Sequence, residues 1–484
     1  MFKKIFFGSL TVVILAVVGA TVYLNMIDWN EHKAVIAKQF SEATGKQVAF
    51  NGSVSFNIFP TPSLEAADID IYNIDAAGKQ VALAKIQKLV ASLSVRSLLQ
   101  GRVNVENMKV INPEIFIEAY DDGTLNWQSG AGNNQDFSIK NVEVSFGSVL
   151  LDNAKVHLID RLYDVDTLVG NINAEVIAGS LFGPYRIEGS YIKDGNPGGF
   201  AIDLGKFSDS FATSVNAVIS HPQSESYVRF DGTVLLKNDA VNGNITVESK
   251  NPVNFVNSLF KKAEISEDYE HPLAMSLAVK SDKSQIALSN IVIKYAGSAG
   301  AGNILIPRTE TKIGETGMER RRIDMAFNMA EFNLEPALQL IEDFLKKYDG
   351  QDYVPEYNFD IIADLKAVKT TYKNQVIRDL DLSVDFMNNV LSVQNLSAQL
   401  PFDGIAKAKG ELYAVEKVMT YNFDIEASSP DFAKTVNWLG YNLQPLSKNI
   451  YKRSSAKFTL AGTLQTIKMA PFILNVDKTG LNGK

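Results

Sequence analysis

The residues able to do acid–base or nucleophilic chemistry are sparse in this chain and form no recognisable pattern. The four histidines, His32, His157, His221 and His271, are scattered. His221 and His271 each precede a proline, which biases them toward extended backbone at strand ends or in loops. No H-E-x-x-H pair occurs to set two imidazoles on one helical face around zinc, and there is no G-x-S-x-G elbow and no phosphate-binding loop. The absence of cysteine excludes thiol nucleophiles, thiolate metal sites and disulfides. "GSAGAG", Gly297 to Gly302, has the glycines of a phosphate cradle, but such a cradle must open a helix and the "NILIP" that follows reads as a strand. "YDDGTLNW", Tyr120 to Trp127, lacks the ligand spacing of a calcium loop, and Asp122-Gly123 is a hairpin turn pair. The expectation is a protein that is not an enzyme, with no catalytic residue, cofactor or metal.

Charge narrows the partners. Forty-seven basic against 55 acidic residues give a formal charge of −8, the wrong sign for binding nucleic acid. One polar stretch, "RTETKIGETGMERRR" from Arg308 to Arg322, reads as a solvated hairpin. The alternative is contact with lipid headgroups through Arg320, Arg321 and Arg322.

The elements that frame these residues begin with "IFFGSLTVVILAVVGATVYL", 5–24, uncharged and long enough as a helix to cross the ~30 Å hydrocarbon core. Lys3 and Lys4 before it and Asp28 and Glu31 after it keep residues 1–4 cytoplasmic and export the rest. A cleaved signal peptide ending near Val18-Gly19-Ala20 is the alternative, but the run outlasts the usual ~7–15-residue hydrophobic region. Asn30 to Thr44 then carries Val35, Ile36, Gln39, Phe40 and Ala43 at helical spacing, with Gly45 at the C-cap position. This amphipathic helix either plugs the end of a sheet near the bilayer or is the first core-packing helix.

From Lys46 onward the period becomes two. In "EYNFDIIADLK", Tyr357, Phe359, Ile361, Ala363 and Leu365 share a face. In "RDLDLSVDF" the set is Leu380, Leu382, Val384 and Phe386, and "RIDMAFNM", "YVRFDGTVLL" and "TYNFDIEA" split the same way. Such alternation predicts a long antiparallel sheet, apolar on one side and polar on the other. Short helices interrupt it near Pro252, Pro336 and Pro430, 84 and 94 residues apart, which suggests a loosely repeated unit of several strands and one helix. A second echo pairs "VSFGSVLLDN", 144–153, with "VDFMNNVLSVQN", 384–395.

Three stretches carry a resemblance to a known family: "TGKQVAFNG" at Thr44–Gly52, "SLLQGRVNVENMKVINPEIFIEAYDDGTLNW" at Ser97–Trp127, and "DLDLSVDFMNNVLSVQNLSAQLPFDGIAKAKGELY" at Asp379–Tyr413. The chain resembles the AsmA family of Gram-negative envelope proteins, which is similar to bridge-like lipid-transfer proteins that begin with a chorein-type module. The resemblance is thin between Pro184 and Asn303. It implies a single-pass inner-membrane protein with its bulk in the periplasm, in which 25–145 form an AsmA-like N-terminal module and 146–484 an extended repeated β region. The β region is expected to form a long curved sheet with a hydrophobic trough that moves phospholipid toward the outer membrane. Passive transfer needs only apolar burial, ~0.8 kcal/mol per CH₂, and a polar wall. The expected lining is Phe230, Met275, Leu277, Met325, Phe327, Phe359, Ile361, Leu382, Val384, Phe423 and Ile425, with acyl chains and the inner membrane as partners. The competing expectation is a closed β core built from the same residues, in a non-enzymatic scaffold or an assembly factor for outer-membrane proteins. The final "NVDKTGLNGK" reads as the start of another hairpin, so reaching the outer membrane is expected to require a protein partner, an oligomer or a longer parent chain.

Overall fold

The structure, a computed structural model, describes residues 28–57, 61–74, 78–94, 96, 105–120, 125–126, 146–161, 165–178, 180, 183–208, 212–236, 240–259, 265–308, 311–313, 318–348, 359–415, 418–443, 452–463 and 465–483. The expected membrane anchor at 5–24 lies outside them. Among the described residues no helix is long and apolar enough to cross a membrane. The chain is mainly β and divides into two units, Met1–Arg229 with Asn254–Ile265, and Phe230–Val253 with Ser266–Lys484.

In the first unit, helix α1 (Lys33–Thr44) follows a short 3-10 turn at Trp29–His32 and ends at Gly45, whose left-handed φ of 67° only glycine adopts cheaply. Ten strands follow: β1 (Gln47–Phe50), β2 (Val54–Asn57), β3 (Ser63–Ile74), β4 (Gln80–Leu93), β5 (Val105–Ala119), β6 (Phe146–Asp160), β7 (Val165–Ala178), β8 (Tyr185–Lys193), β9 (Asn196–Leu204) and β10 (Ala212–His221). Ile36 of α1 and the preceding Trp29 pack on Val54, Ala66 and Ile69, so the amphipathic helix covers sheet on its Ile36 side while Val35 and Phe40 stay exposed. The ladder is antiparallel except at β5–β6, which pair in parallel from Val105↔Phe146 to Ala119↔Asp160.

The second unit takes up most of β11 (Ser226–Leu235), then β12 (Ala240–Ser249), β13 (Leu273–Ser281), β14 (Gln285–Tyr295), β15 (Ser298–Pro307), β16 (Thr311–Ile313), β17 (Met318–Asn333), β18 (Phe359–Tyr372), β19 (Gln375–Met387), β20 (Val390–Leu400), β21 (Gly404–Val415), β22 (Val418–Ser429), β23 (Ser454–Thr463), β24 (Thr466–Val476) and β25 (Thr479–Gly483). From β12 the ladder runs through β15 to β17 and on in chain order to β25, a path on the order of 60 Å at ~4.8 Å per strand. Gly297 is a turn residue and "SAGAGNILIP" is β15, a strand and no phosphate loop.

The expectation of an antiparallel sheet is corrected here: the sheet is mixed, because β17 and β18 also pair in parallel, Arg321↔Phe359 to Asn333↔Thr371. The reason is connection length: a tight hairpin enforces an antiparallel partner, whereas the segments between β5 and β6 and between β17 and β18 are long enough for the next strand to start at the end where the previous one began.

Helices α2 (Pro252–Leu259), α3 (Leu334–Tyr348) and α4 (Phe432–Leu439) follow β12, β17 and β22, with five strands between successive helices. Proline opens α2, stands at the third position of α3, and precedes the Asp431 N-cap of α4. The second echo is not a structural repeat: its first copy runs into the single strand β6, while the second spans the β19–β20 hairpin.

Candidate functional site: an apolar sheet face

Cross-strand register shows which side chains share a face. In the second unit one row reads Ile304, Met325, Ala363, Val384, Val393, Gly410, Phe423 and Leu460 from β15 to β23. The next reads Gly302, Phe327, Leu365, Leu382, Leu396, Ala408, Ile425, Phe458 and Phe472. A third reads Ile323, Ile361, Phe386, Leu391, Leu412 and Tyr421. None of these positions carries a charge.

All eleven expected lining residues fall in this unit. Met325, Val384 and Phe423 lie in the first row, Phe327, Leu382 and Ile425 in the second, and Ile361 in the third. Phe359 stands beyond it against Phe386, ring centroids 6.2 Å apart. Phe230, Met275 and Leu277 pack in one cluster that also takes in Phe327. Of the eleven only Leu277 is buried; the rest are half-buried. A second sheet stacked on these rows would bury them as a sandwich core does. Full burial occurs in two clusters, Leu277 with Val279 and Ile291, and Met329, Ala367, Ile377, Leu380 and Ala398, which meet Leu334 of α3 and Trp438 of α4.

The opposite face is wet and cross-linked: Lys457 lies 2.5 Å from Glu426, Lys369 2.9 Å from Glu331, and Thr459 donates to Asp424 at 2.8 Å. The Lys457 ammonium holds Glu426 below the usual carboxylate range. Such exposed pairs each contribute only ~0–1 kcal/mol; what they provide is a face that tolerates water.

The polar stretch read as a hairpin pairs β16 with the start of β17, Thr311↔Arg320 to Ile313↔Met318, and its three arginines are placed differently. Arg320 is buried and donates to Asp360 at 2.8 Å and to Phe359 O at 3.1 Å; Arg322 pairs with Asp324 at 2.7 Å on the polar face; Arg321 shares the apolar-face register with Phe359. The alternation of the strand sends Arg321 to the side opposite Arg320 and Arg322.

His221 ends β10, fully buried, with Nδ1 2.6 Å from Ser224 Oγ and its ring against Phe255 of α2. Burial holds its pKa below the usual histidine value. The distance suits a nucleophile and its base, but Ser224 has no exposed surface, so no substrate reaches it. Among the described residues no cluster of His, Asp or Glu could hold a metal. A depression of about 550 Å³ on the first unit is polar, lined among others by Asp70, Lys85, Glu114 and Lys155.

Sequence reasoning missed two features. The first unit carries its own apolar row, Leu64, Ala91, Met108, Val149, Val176, Ile187, Ile202 and Ala217. It also missed the buried role of Asn126, next to the Asp-Gly turn. Asn126 Nδ2 donates to Phe116 O at 2.8 Å, its Oδ1 accepts from Glu118 N at 3.2 Å, and its carbonyl accepts from Asn73, which in turn accepts from Lys46 Nζ at 2.8 Å. The available signal was the "DGTLNW" that closes the family-like stretch Ser97–Trp127.

Each unit, taken by itself, is a β-ladder that carries uncharged rows along one face. The sequence profile of the AsmA family matches residues 1–272, more than half of the chain, and the chain belongs to the AsmA family. No curated protein and no solved structure matches it.

Proposed function

We propose that this is an inner-membrane-anchored periplasmic protein that carries phospholipid with its acyl chains on the apolar face and its headgroups at the polar margin, and so supports outer-membrane biogenesis. The observation that carries the reading is the three uncharged rows from β15 toward β24, half-exposed where a closed core would be buried. An open apolar area of this extent calls for a cover, and an acyl chain supplies one at ~0.8 kcal/mol per buried CH₂. No catalytic group is needed, because the lipid leaves chemically unchanged.

The test is lipid extraction from the full chain, purified in mild detergent and washed to constant lipid content. Val384→Glu or Ile361→Glu, each placing a carboxylate on the face, is expected to lower bound phospholipid about tenfold or more, since a buried unpaired charge costs several kcal/mol. Ser383→Glu, on the other face, is expected to leave it unchanged. A lipid-free wild-type chain that resists exchange of its face-row amides would favour the closed-core scaffold.

A further inference from the structure

On the apolar face, aromatic side chains repeatedly lie over glycines. Gly302 of β15 is registered against Phe327 of β17, and Gly410 of β21 against Phe423 of β22. A Cβ added at Gly302 would sit 2.4 Å from a ring carbon of Phe327, and one at Gly410 2.7 Å from a ring carbon of Phe423. The same holds in the first unit, where Gly189 is registered against Phe200 and a Cβ would again fall 2.7 Å from its ring. Side chains in strands normally stand roughly perpendicular to the sheet. A ring that occupies its neighbour's Cβ position instead leans across that neighbour's backbone, the arrangement known to rescue strand glycines. Laid down, a ring adds about one van der Waals thickness, ~3.5 Å, to the floor; upright, it would project its whole length.

We propose that Gly302 and Gly410 set the depth of the apolar trough, and with it which acyl chains fit, a role that rests on the lipid reading above. The glycines keep Phe327 and Phe423 flat, and the lowered floor admits tails whose cis double bonds make them broader than straight saturated ones. Specificity for tail shape therefore resides in residues that present no side chain to the lipid.

The experiment uses the full chain in cells, with the photo-crosslinker benzoylphenylalanine at Val393, the cross-strand partner of Gly410. Captured lipid is released and its tails identified by mass spectrometry. In Gly410→Ala the fraction of captured tails with a cis double bond is expected to fall about fourfold, the equivalent of one buried CH₂, ~0.8 kcal/mol. The double variant Gly410→Ala/Phe423→Ala restores it. A methyl at Gly410 also presses on the Asn422 carbonyl, so Phe423→Ala alone provides the arm that does not strain the backbone. By removing the ring from the floor, it is expected to raise the unsaturated fraction by a similar factor. An unchanged tail distribution in Phe423→Ala, or an equal loss of all tails in a Gly410→Ala chain that melts normally, overturns the proposal. A wild-type chain that captures no lipid at all overturns the lipid reading itself, an outcome distinct from a wild type that captures lipid and variants that do not discriminate.

Discussion

At Asn126 one buried amide satisfies two backbone groups of β5, Phe116 O and Glu118 N, and ties the segment beyond the strand back onto it. Asn126→Ala orphans both in a site closed to water, at 1–3 kcal/mol each, so the first unit should lose roughly 3 kcal/mol. Denaturant unfolding monitored in that unit checks this, and an unchanged midpoint would remove Asn126 from the account. His221 gives a pH dependence of definite sign. Its folded pKa lies below the unfolded value of about 6.5, so on acidification the unfolded chain takes up the proton first. Stability is full above pH ~6.5 and is lost as the pH falls from there through the folded pKa. Hydrogen exchange of the β10 and α2 amides should accelerate over that window, and His221→Gln should flatten the acceleration. At this scale the sequence was only partly legible. The proline after His221 pointed to a strand end, correctly, but the ring's burial depends on Phe255, more than thirty residues away, which no local pattern announces.

Elements were legible where alternation ran unbroken and obscure where it was interrupted. Ala66 and Ile69, Val110 and Pro113, Leu288 and Ile291, and Ile377 and Leu380 are each buried or cluster-packed pairs three residues apart, a spacing no regular strand puts on one face. In every case the residue just before the second member is Asp or Asn at positive φ: Asp68, Asn112, Asn290 and Asp379. Asn290 and Asp379 lie at register shifts of their ladders, as at a β-bulge, and at all four positions the short Asx side chain tolerates the left-handed backbone. Each shifts the alternation by one, which is why the reading of "RDLDLSVDF" held from Leu380 onward and could not be extended back to Ile377.

Asp379→Val, a β-branched residue forced to a φ of 47°, should cost ~1–3 kcal/mol, whereas Asp379→Gly should be tolerated. Thermal unfolding of the two variants separates them. The parallel junction was also hidden, because alternation is the same whichever way a strand runs. There the Arg320–Asp360 pair stands buried at the start of the β17–β18 ladder. Asp360→Ala leaves an uncompensated buried guanidinium and should destabilise the junction by about 3–5 kcal/mol, with Arg320→Met/Asp360→Leu recovering most of the loss. Exchange rates of the β18 amides report both.

For the whole molecule, the long two-faced alternation was read from spacing, and the eleven lining residues are all placed in one unit. The first unit's row from Leu64 to Ala217 was not read, because Asn153 and Asn171, again at positive φ, break its strands into fragments too short to show a period. The central claim is that one face, and not the other, carries lipid tails. Adjacent residues of β19 point to opposite faces, so the strand provides its own control. Benzoylphenylalanine is placed singly at Leu382, Ser383, Val384 and Asp385 of the full chain in cells grown with radiolabelled phosphate. The account predicts labelled phospholipid captured from Leu382 and Val384 and none from Ser383 and Asp385. Equal capture from all four positions, or capture from none while the chain remains folded, would contradict it.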